Sequence, residues 1–341
     1  MRPPIMDAFT AGGHRLVLVL AACAALVAFP GMRGVVVAQD VSKLTSLTVE
    51  KAQDLAAQKP VTKSGLDGYF WPFDALTSLA PEVAAVLVKP AVGLSFNGLA
   101  DLSPETAKVL ATHAASPRNG YADLRLNGLK RLSPEAAEAL AAHQGMVLLY
   151  GLETLDSVPL AQKLARQWGE LRLGLMELSP EIAAELAKHR GTEVTKGEGP
   201  QHRIDRAVSV LRIDRLRALT PETADALALH EGVLVLNDLA TLDPRVAAAL
   251  AKRVGNRKLN RPGTIVLNGL TRISQKSAAA LATFSGELVL KGITDLDPAT
   301  AAALAAHKGR LHLTGLVDAS PKVAAALGKH SAVLLPPPVQ P

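Results

Sequence analysis

A unit of about 23 residues recurs along almost the whole chain. A repeated supersecondary unit folds as a stack in which each copy buries its apolar face against the next. The clearest copy runs Leu124-Arg-Leu126-Asn-Gly-Leu129-Lys-Arg-Leu132-Ser-Pro-Glu-Ala-Ala-Glu-Ala-Leu140-Ala-Ala-His143-Gln-Gly145. Aligned on it, ten units place their first apolar strand residue at Trp71, Leu94, Leu124, Val147, Leu171, Leu211, Leu234, Ile265, Leu288 and Leu311. A half-unit, Leu44-Thr-Ser-Leu47-Thr-Val-Glu, precedes them, and a bare strand, Val333-Leu334-Leu335, follows. The closing Pro336-Pro337-Pro338 removes backbone donors past that strand and is expected to discourage pairing with another chain.

Each unit opens with apolar-any-apolar, the period of a short strand. Asn-Gly follows at Asn97-Gly98, Asn127-Gly128 and Asn268-Gly269, a pair that tolerates positive φ and is expected to turn the chain off the strand. Two leucines, as in Leu129 and Leu132, then point inward through the turn. Ser103, Ser133, Ser179, Thr220, Asp243 and Asp297 each precede a proline and read as helix N-caps with Pro at the first helical position. A helix of about ten residues should follow, its inner face at Ala137, Leu140 and Ala141. Gly145 and Gly309 suit helix stops. Parallel strands lie ~4.8 Å apart while helices pack at ~8–10 Å, which bends such a stack with strands on the concave side and helices on the convex side. The many alanines should soften the bend.

The pattern L-x-L-x-G-L-x-x-L-S-P-E-x-A-x-x-L-A resembles the leucine-rich-repeat superfamily in an Ala-rich bacterial form, over nearly everything after the first 38 residues. The resemblance implies an α/β repeat solenoid, a curved stack of short parallel strands and Ala-rich helices, used for macromolecular recognition and not for chemistry. One slot departs from the family. Where the family carries Asn or Cys five positions after the first strand leucine, this chain carries Leu99, Leu129, Leu270 or Leu316, so its inner turn must be satisfied differently.

The N-terminus reads as an export signal. Arg2 and Arg15 supply positive charge, Leu16 to Phe29 is an uncharged apolar run too short for a membrane span, and Val36-Val-Ala38 offers a cleavage site before Gln39. A rival is Leu20-Ala-Ala-Cys23, which resembles a lipobox and would anchor the chain by lipid at Cys23, the only cysteine. The expected organisation is a signal peptide over 1–38, a half-repeat and cap over 39–70, ten repeat units over 71–332, and a strand with a Pro-rich tail over 333–341. Cleavage after Ala38 removes the cysteine, and with it any disulfide, thiol catalysis or thiolate metal site. It also lowers the formal charge from +6 to +4, because Arg2, Arg15, Arg33 and Asp7 are lost. That mild excess, in an exported chain, argues against nucleic acid.

Two regions are candidates for a partner. Between the strand apolars stand Ser95, Arg125, Leu148, Arg172, Arg212, Val235, Val266, Val289 and His312, basic in the first part and apolar in the second. Val235, Val266 and Val289 would form an exposed stripe. Extra residues at Val61 to Phe70, Ala114 to Asp123, Thr192 to Ser209 and Asn256 to Thr264 all fall between a helix and the next strand, on one expected rim. Three of these insertions carry cationic side chains: Arg118; Lys196, His202, Arg203 and Arg206; and Arg257, Lys258 and Arg261. An anionic partner, an acidic protein segment or glycan, would suit that rim.

Tyr69-Phe70-Trp71-Pro72-Phe73 holds four of the eleven aromatics and reads as a hydrophobic end cap, with Tyr69 and Phe70 as an alternative stacking platform for sugars. His113, His143, His189, His230, His307 and His330 close their helices and read as caps for free carbonyls; Gln167, Arg253 and Phe284 in the same slot argue against metal. No G-x-S-x-G, H-E-x-x-H or phosphate-binding loop is present. The sequence therefore points to an exported, monomeric, non-enzymatic recognition module without cofactor or metal. The alternative is a self-associating structural component of the cell envelope.

Overall fold

The computed structural model describes residues 41–57, 62–63, 69–90, 92–114, 122–191, 209–255, 262–317 and 319–336, and of Thr62, Lys63, Tyr69 and Phe70 the backbone alone. All belong to one compact unit, Asp40–Pro341. The expected signal, its cleavage site and Cys23 lie outside the described residues.

Strands and helices alternate along the unit. The strands are β1 (Thr62–Lys63), β2 (Tyr69–Pro72), β3 (Gly93–Ser95), β4 (Leu124–Arg125), β5 (Val147–Leu148), β6 (Glu170–Leu173), β7 (Val210–Ile213), β8 (Val233–Val235), β9 (Thr264–Val266), β10 (Glu287–Val289), β11 (Leu311–His312) and β12 (Val333–Leu334). The helices are α1 (Val49–Ala56), α2 (Pro81–Leu87), α3 (Pro104–Ala111), α4 (Pro134–Ala141), α5 (Val158–Ala165), α6 (Pro180–Leu186), α7 (Pro221–Leu227), α8 (Pro244–Ala251), α9 (Gln275–Ala282), α10 (Pro298–Ala305) and α11 (Pro321–Leu327). They span seven or eight residues, shorter than the sequence suggests, because the chain leaves each helix before the histidine slot.

The register follows the repeat. Trp71, Leu94, Leu124 and Val147 stand side by side, as do Leu171, Leu211, Leu234, Ile265, Leu288, Leu311 and Val333. All these strands run parallel; β1 alone pairs antiparallel, with β2. The half-unit forms no strand and delivers Thr48 as the N-cap of α1. The core is one continuous cluster of inward strand residues, turn leucines and helix alanines and leucines. Trp71 and Phe73 are buried at its N-terminal end, where Phe73 stacks on Phe96 with ring centres 5.6 Å apart.

The helix starts obey capping chemistry. Ser103, Ser133, Ser179 and Thr220 accept the N–H three residues on, at 3.1–3.2 Å. Asp243 accepts from Arg245 N, and Asp297 from Ala299 N and Thr300 N. The inner turn is satisfied by the asparagine of Asn-Gly. Asn97 Oδ1 accepts Asn127 N–H at 3.1 Å, Asn127 Oδ1 accepts Tyr150 N–H at 3.0 Å, and Asn268 Oδ1 accepts Lys291 N–H at 3.2 Å. Each carboxamide thus stitches its turn to the next.

The glycines act differently from the expectation. The positive-φ residues described are Arg215, Gly169 and Gly191, and the Asn-Gly steps are not among them. Gly128 is needed for closeness: a Cβ there would lie 2.1 Å from the Asn97 carbonyl oxygen of the preceding turn. Gly145, read from sequence as a helix stop, lies past the αR cap Ala142, and a Cβ there would meet Ala122 O at 2.0 Å.

Candidate binding site

The outward strand side chains form rows across neighbouring strands. Arg212, Val235, Val266, Val289 and His312 stand in one such row. Val235 and Val289 are 4% and 9% exposed and Val266 is half-buried, so the expected open stripe of valines is not formed. Each valine is flanked on both sides by side chains only ~4.8 Å away along the sheet, which cover it. Ser95 is buried as well, donating its hydroxyl to Asp74 Oδ1 at 2.6 Å.

The arginines of this face are compensated. Arg172 and Arg212 are directly paired in register, an arrangement unfavourable for like charges. Arg172 Nε binds Asp214 Oδ2 at 2.8 Å, and Arg212 Nε binds Glu170 Oε1, so each cation reaches the acid of the opposite strand. Arg215 Nη1 likewise binds Glu153 Oε1 at 2.7 Å. At such exposed positions each pair is worth at most about 1 kcal/mol. Their main effect is to neutralise the face. Arg125 is half-buried on β4. Arg118, Lys196, His202, Arg203, Arg206, Arg257, Lys258 and Arg261 lie outside the described residues.

Among the described strands the ladder breaks once. β5 pairs only with β4 and β6 only with β7, so the described strands form a five-stranded and a seven-stranded sheet. The amides of Leu94, Leu124, Leu288 and Leu311, in the same repeat position, donate to a backbone carbonyl of the next unit, Leu124 N to Met146 O at 2.8 Å. At the break Val147 N instead donates to the side-chain Oε1 of Gln167 at 3.3 Å. Gly169, at φ +81°, then re-aims the chain into β6. The rest of the stack runs through: α5 packs on both α4 and α6, and Met176 N–H reaches Glu153 O at 2.9 Å across the turns.

A shallow, open hollow of about 430 Å³ lies on the strand face at this break. Asn97, Asn127 and Arg125 contribute from the preceding turns and strand, Tyr150 and Leu148 from β5 and its turn, and Trp168 with Glu170 from the far side. Tyr150 is 37% exposed and Trp168 40%; Met176, in the following turn, is 49% exposed. The Arg172 guanidinium carbon stands 5.8 Å from the Tyr150 ring centre. Sequence reasoning missed Tyr150, Trp168 and Met176, though a signal existed. Tyr150 occupies the slot of Asn97, Asn127 and Asn268, and Trp168 the slot of Gln144, Arg190, Glu231 and Lys308.

The histidine column sits inside, away from this face. His113, His143 and His189 place Nε2 2.7, 2.7 and 2.9 Å from Val92 O, Ala122 O and Gly169 O, carbonyls of the preceding unit. Successive rings stack, 6.2 Å apart for His113 and His143. Burial pushes His143 down to about 4 and His230 to about 3, so both are neutral at pH 7. Arg253 takes the same role, donating through Nη2 to His230 O and Gly232 O, and burial pushes its guanidinium down to about 9. Among the described residues no group of three or more His, Cys, Asp or Glu could hold a metal ion, and no helix is long and apolar enough to cross a membrane.

Parallel in-register strands, inward leucines at fixed spacing and one capped helix per unit define an α/β repeat solenoid of leucine-rich-repeat-like architecture. No protein-family model matches the chain, and no curated protein sequence does. Among solved structures it is similar to a leucine-rich-repeat protein of Leptospira interrogans, at 16% identity and a TM-score of 0.35, covering 76% of this chain and 67% of that one. That superposition is loose, and the architecture rests on the ladder and helix stack themselves.

Proposed function

We propose that this protein is an exported, non-enzymatic recognition module that binds a macromolecular partner across its strand face, centred on the break in the ladder. The observation that carries the reading is the meeting of Tyr150 and Trp168, both exposed, in one hollow where the described strand ladder is interrupted, with Met176 exposed in the following turn. Trp, Tyr and Arg dominate the energetics of interfaces, and Arg125 and Arg172 flank the two rings. The hollow is open, which suits a ligand lying across it better than a small molecule enclosed by it. The insertions with Arg118, Lys196, Arg203, Arg206, Arg257, Lys258 and Arg261 offer cations as a second contact region for an acidic partner, the stretch with Arg257, Lys258 and Arg261 being the net positive one, and Val235, Val266 and Val289 contribute little surface of their own.

The test is affinity capture from cell-envelope extract with the mature protein, Trp168→Ala, and a variant with Arg203, Arg206, Arg257, Lys258 and Arg261 changed to Ser. A partner held by the parent and lost by Trp168→Ala supports the strand-face site; loss in the second variant alone moves the site to the insertions. Equal capture by all three overturns both. The self-association reading is favoured by one observation: among the described residues β12 pairs on one side only, and Leu334, Leu335 and Val317 are exposed. A concentration-independent monomer mass in light scattering removes it.

A further inference from the structure

We propose that the hollow at the break is a subsite for a neutral oligosaccharide, stacked on Trp168 and Tyr150 and hydrogen-bonded by the planar polar side chains around them. This rests on reading the strand face as a recognition surface and names the chemistry of what it takes. The first argument is placement. Of the aromatic side chains described, Trp71, Phe73, Phe96 and Phe284 are buried in the stack, while Tyr150 and Trp168, the two exposed ones, meet in one hollow. A pyranose ring presents a flat face of C–H groups, and an indole or phenol ring presents a flat apolar surface with a polar tip.

The second argument is the polar lining. Asn97, Asn127, Asp123, Glu170 and Arg125 bring carboxamide, carboxylate and guanidinium groups to the same walls. Part of this set serves the protein itself: Asn97 is engaged by Asn127 N–H and Ser95 Oγ, and Glu170 Oε1 by Arg212. Among the described residues that leaves the Asn127 NH2 and Glu170 Oε2 to meet hydroxyls of a sugar. Asn127 shows the division of labour. Its Oδ1 is held by Tyr150 N–H at 3.0 Å, and its NH2 has no protein partner among the described residues.

The third argument is charge. Asp123, Glu170 and Arg125 line the hollow together, Glu170 is paired with Arg212, and Arg172 over the Tyr150 ring is paired with Asp214. An acidic glycan would meet two carboxylates, and a basic peptide would meet guanidinium groups; a neutral chain meets neither penalty. The turn stitch to Tyr150 N–H and the left-handed Gly169 beside Trp168 set the backbone on the two sides of the hollow.

The chain has two tryptophans, Trp71 buried and Trp168 exposed, so a ligand-dependent change in emission reports on the hollow. Full-length mature protein is titrated with glucose, mannose, galactose and N-acetylglucosamine hexasaccharides, beside an oligogalacturonate as the acidic control. The expected result is a saturable change with at least one neutral hexasaccharide, at a Kd on the order of 0.1–1 mM for so open a site. Saturation-transfer NMR should show binding about tenfold weaker in Trp168→Ala and Tyr150→Ala. Trp168→Phe, which keeps a ring, should retain most of it. Asn127→Asp keeps the oxygen that the ladder needs and removes the NH2, and should weaken binding without changing the circular dichroism, so a poorly folding Trp168→Ala does not end the test. No saturable response to any neutral sugar, an equal response from Trp168→Ala, or preference for the acidic control overturns the proposal. Should the sugars fail while a captured protein is lost on Trp168→Ala, the glycan falls and the recognition reading stands.

Discussion

One position per unit shows how far a single side chain can be exchanged when its geometry is kept. His113, His143 and His189 each hold a carbonyl of the unit before, and Arg253 reaches the corresponding carbonyl, Gly232 O, together with His230 O, through one guanidinium nitrogen. Phe284 fills the slot with a ring alone, stacked 6.2 Å from His307. The neutral histidines make stability depend on pH. Folded His143 and His230 titrate at about 4 and about 3, below the ordinary 6.5, so above 6.5 both folded and unfolded chains carry them neutral. As pH falls through 6.5 the unfolded chain takes up protons that the folded one refuses, and stability drops until the folded values are reached. At pH 5 each contributes a loss of up to about 2 kcal/mol. A lower urea midpoint at pH 5 than at pH 7.5 is expected, with a smaller difference in His230→Phe, which copies Phe284; an unchanged midpoint would show that the folded rings take up protons as readily as the unfolded ones. The sequence made the column visible as carbonyl caps. It could not show that the carbonyls belong to the neighbouring unit, because that depends on the rise of the stack.

At the scale of the repeat element, most of the architecture was legible. The strand positions, N-caps and inward leucines are set by local patterns that each unit repeats, and the register carries them into space unchanged. The roles of the turn residues were not legible, because they act between units. Asn97 and Asn127 satisfy the next turn, and the glycine beside each admits the previous turn's carbonyl. Gly128→Ala would drive a methyl to 2.1 Å from Asn97 O, backbone that cannot swing aside. A loss of about 3 kcal/mol or more is expected in denaturant unfolding, with binding lost in proportion to folding. A loss below about 1 kcal/mol would show that the stack relaxes there. Gln167→Ala is the corresponding test at the break. It removes the acceptor of Val147 N–H and should cost about 1–3 kcal/mol while leaving the helical circular dichroism intact. The valine row failed as an exposed feature for the same inter-unit reason: alternation marks which side a residue faces and says nothing of how closely its neighbours cover it.

Across the whole array, stability is close to a sum of unit terms and nearest-neighbour couplings. A break in the ladder therefore weakens one coupling without ending the stack. Between the units of β5 and β6 the helix packing and turn stitches remain, while a glutamine side chain stands in for a backbone carbonyl. The sequence marks the unit from Val147 only by small departures: Gln167 in the histidine slot, Trp168 and Tyr150 in polar slots, and Ser157-Val-Pro in place of Ser-Pro-Glu. The same departures that loosen the ladder build the hollow, which fits the general placing of binding surfaces at the less stable parts of a fold. Native-state hydrogen exchange separates this account from a uniformly coupled stack. The amides of Val147 to Leu149 should exchange well before those of Leu234 to Leu236, which lie between paired strands on both sides. Saturating ligand should slow the first group and leave the second unchanged. Equal protection of the two groups in the free protein would show that helix packing alone sets the coupling, and the break would then be a feature of the binding surface with no consequence for stability.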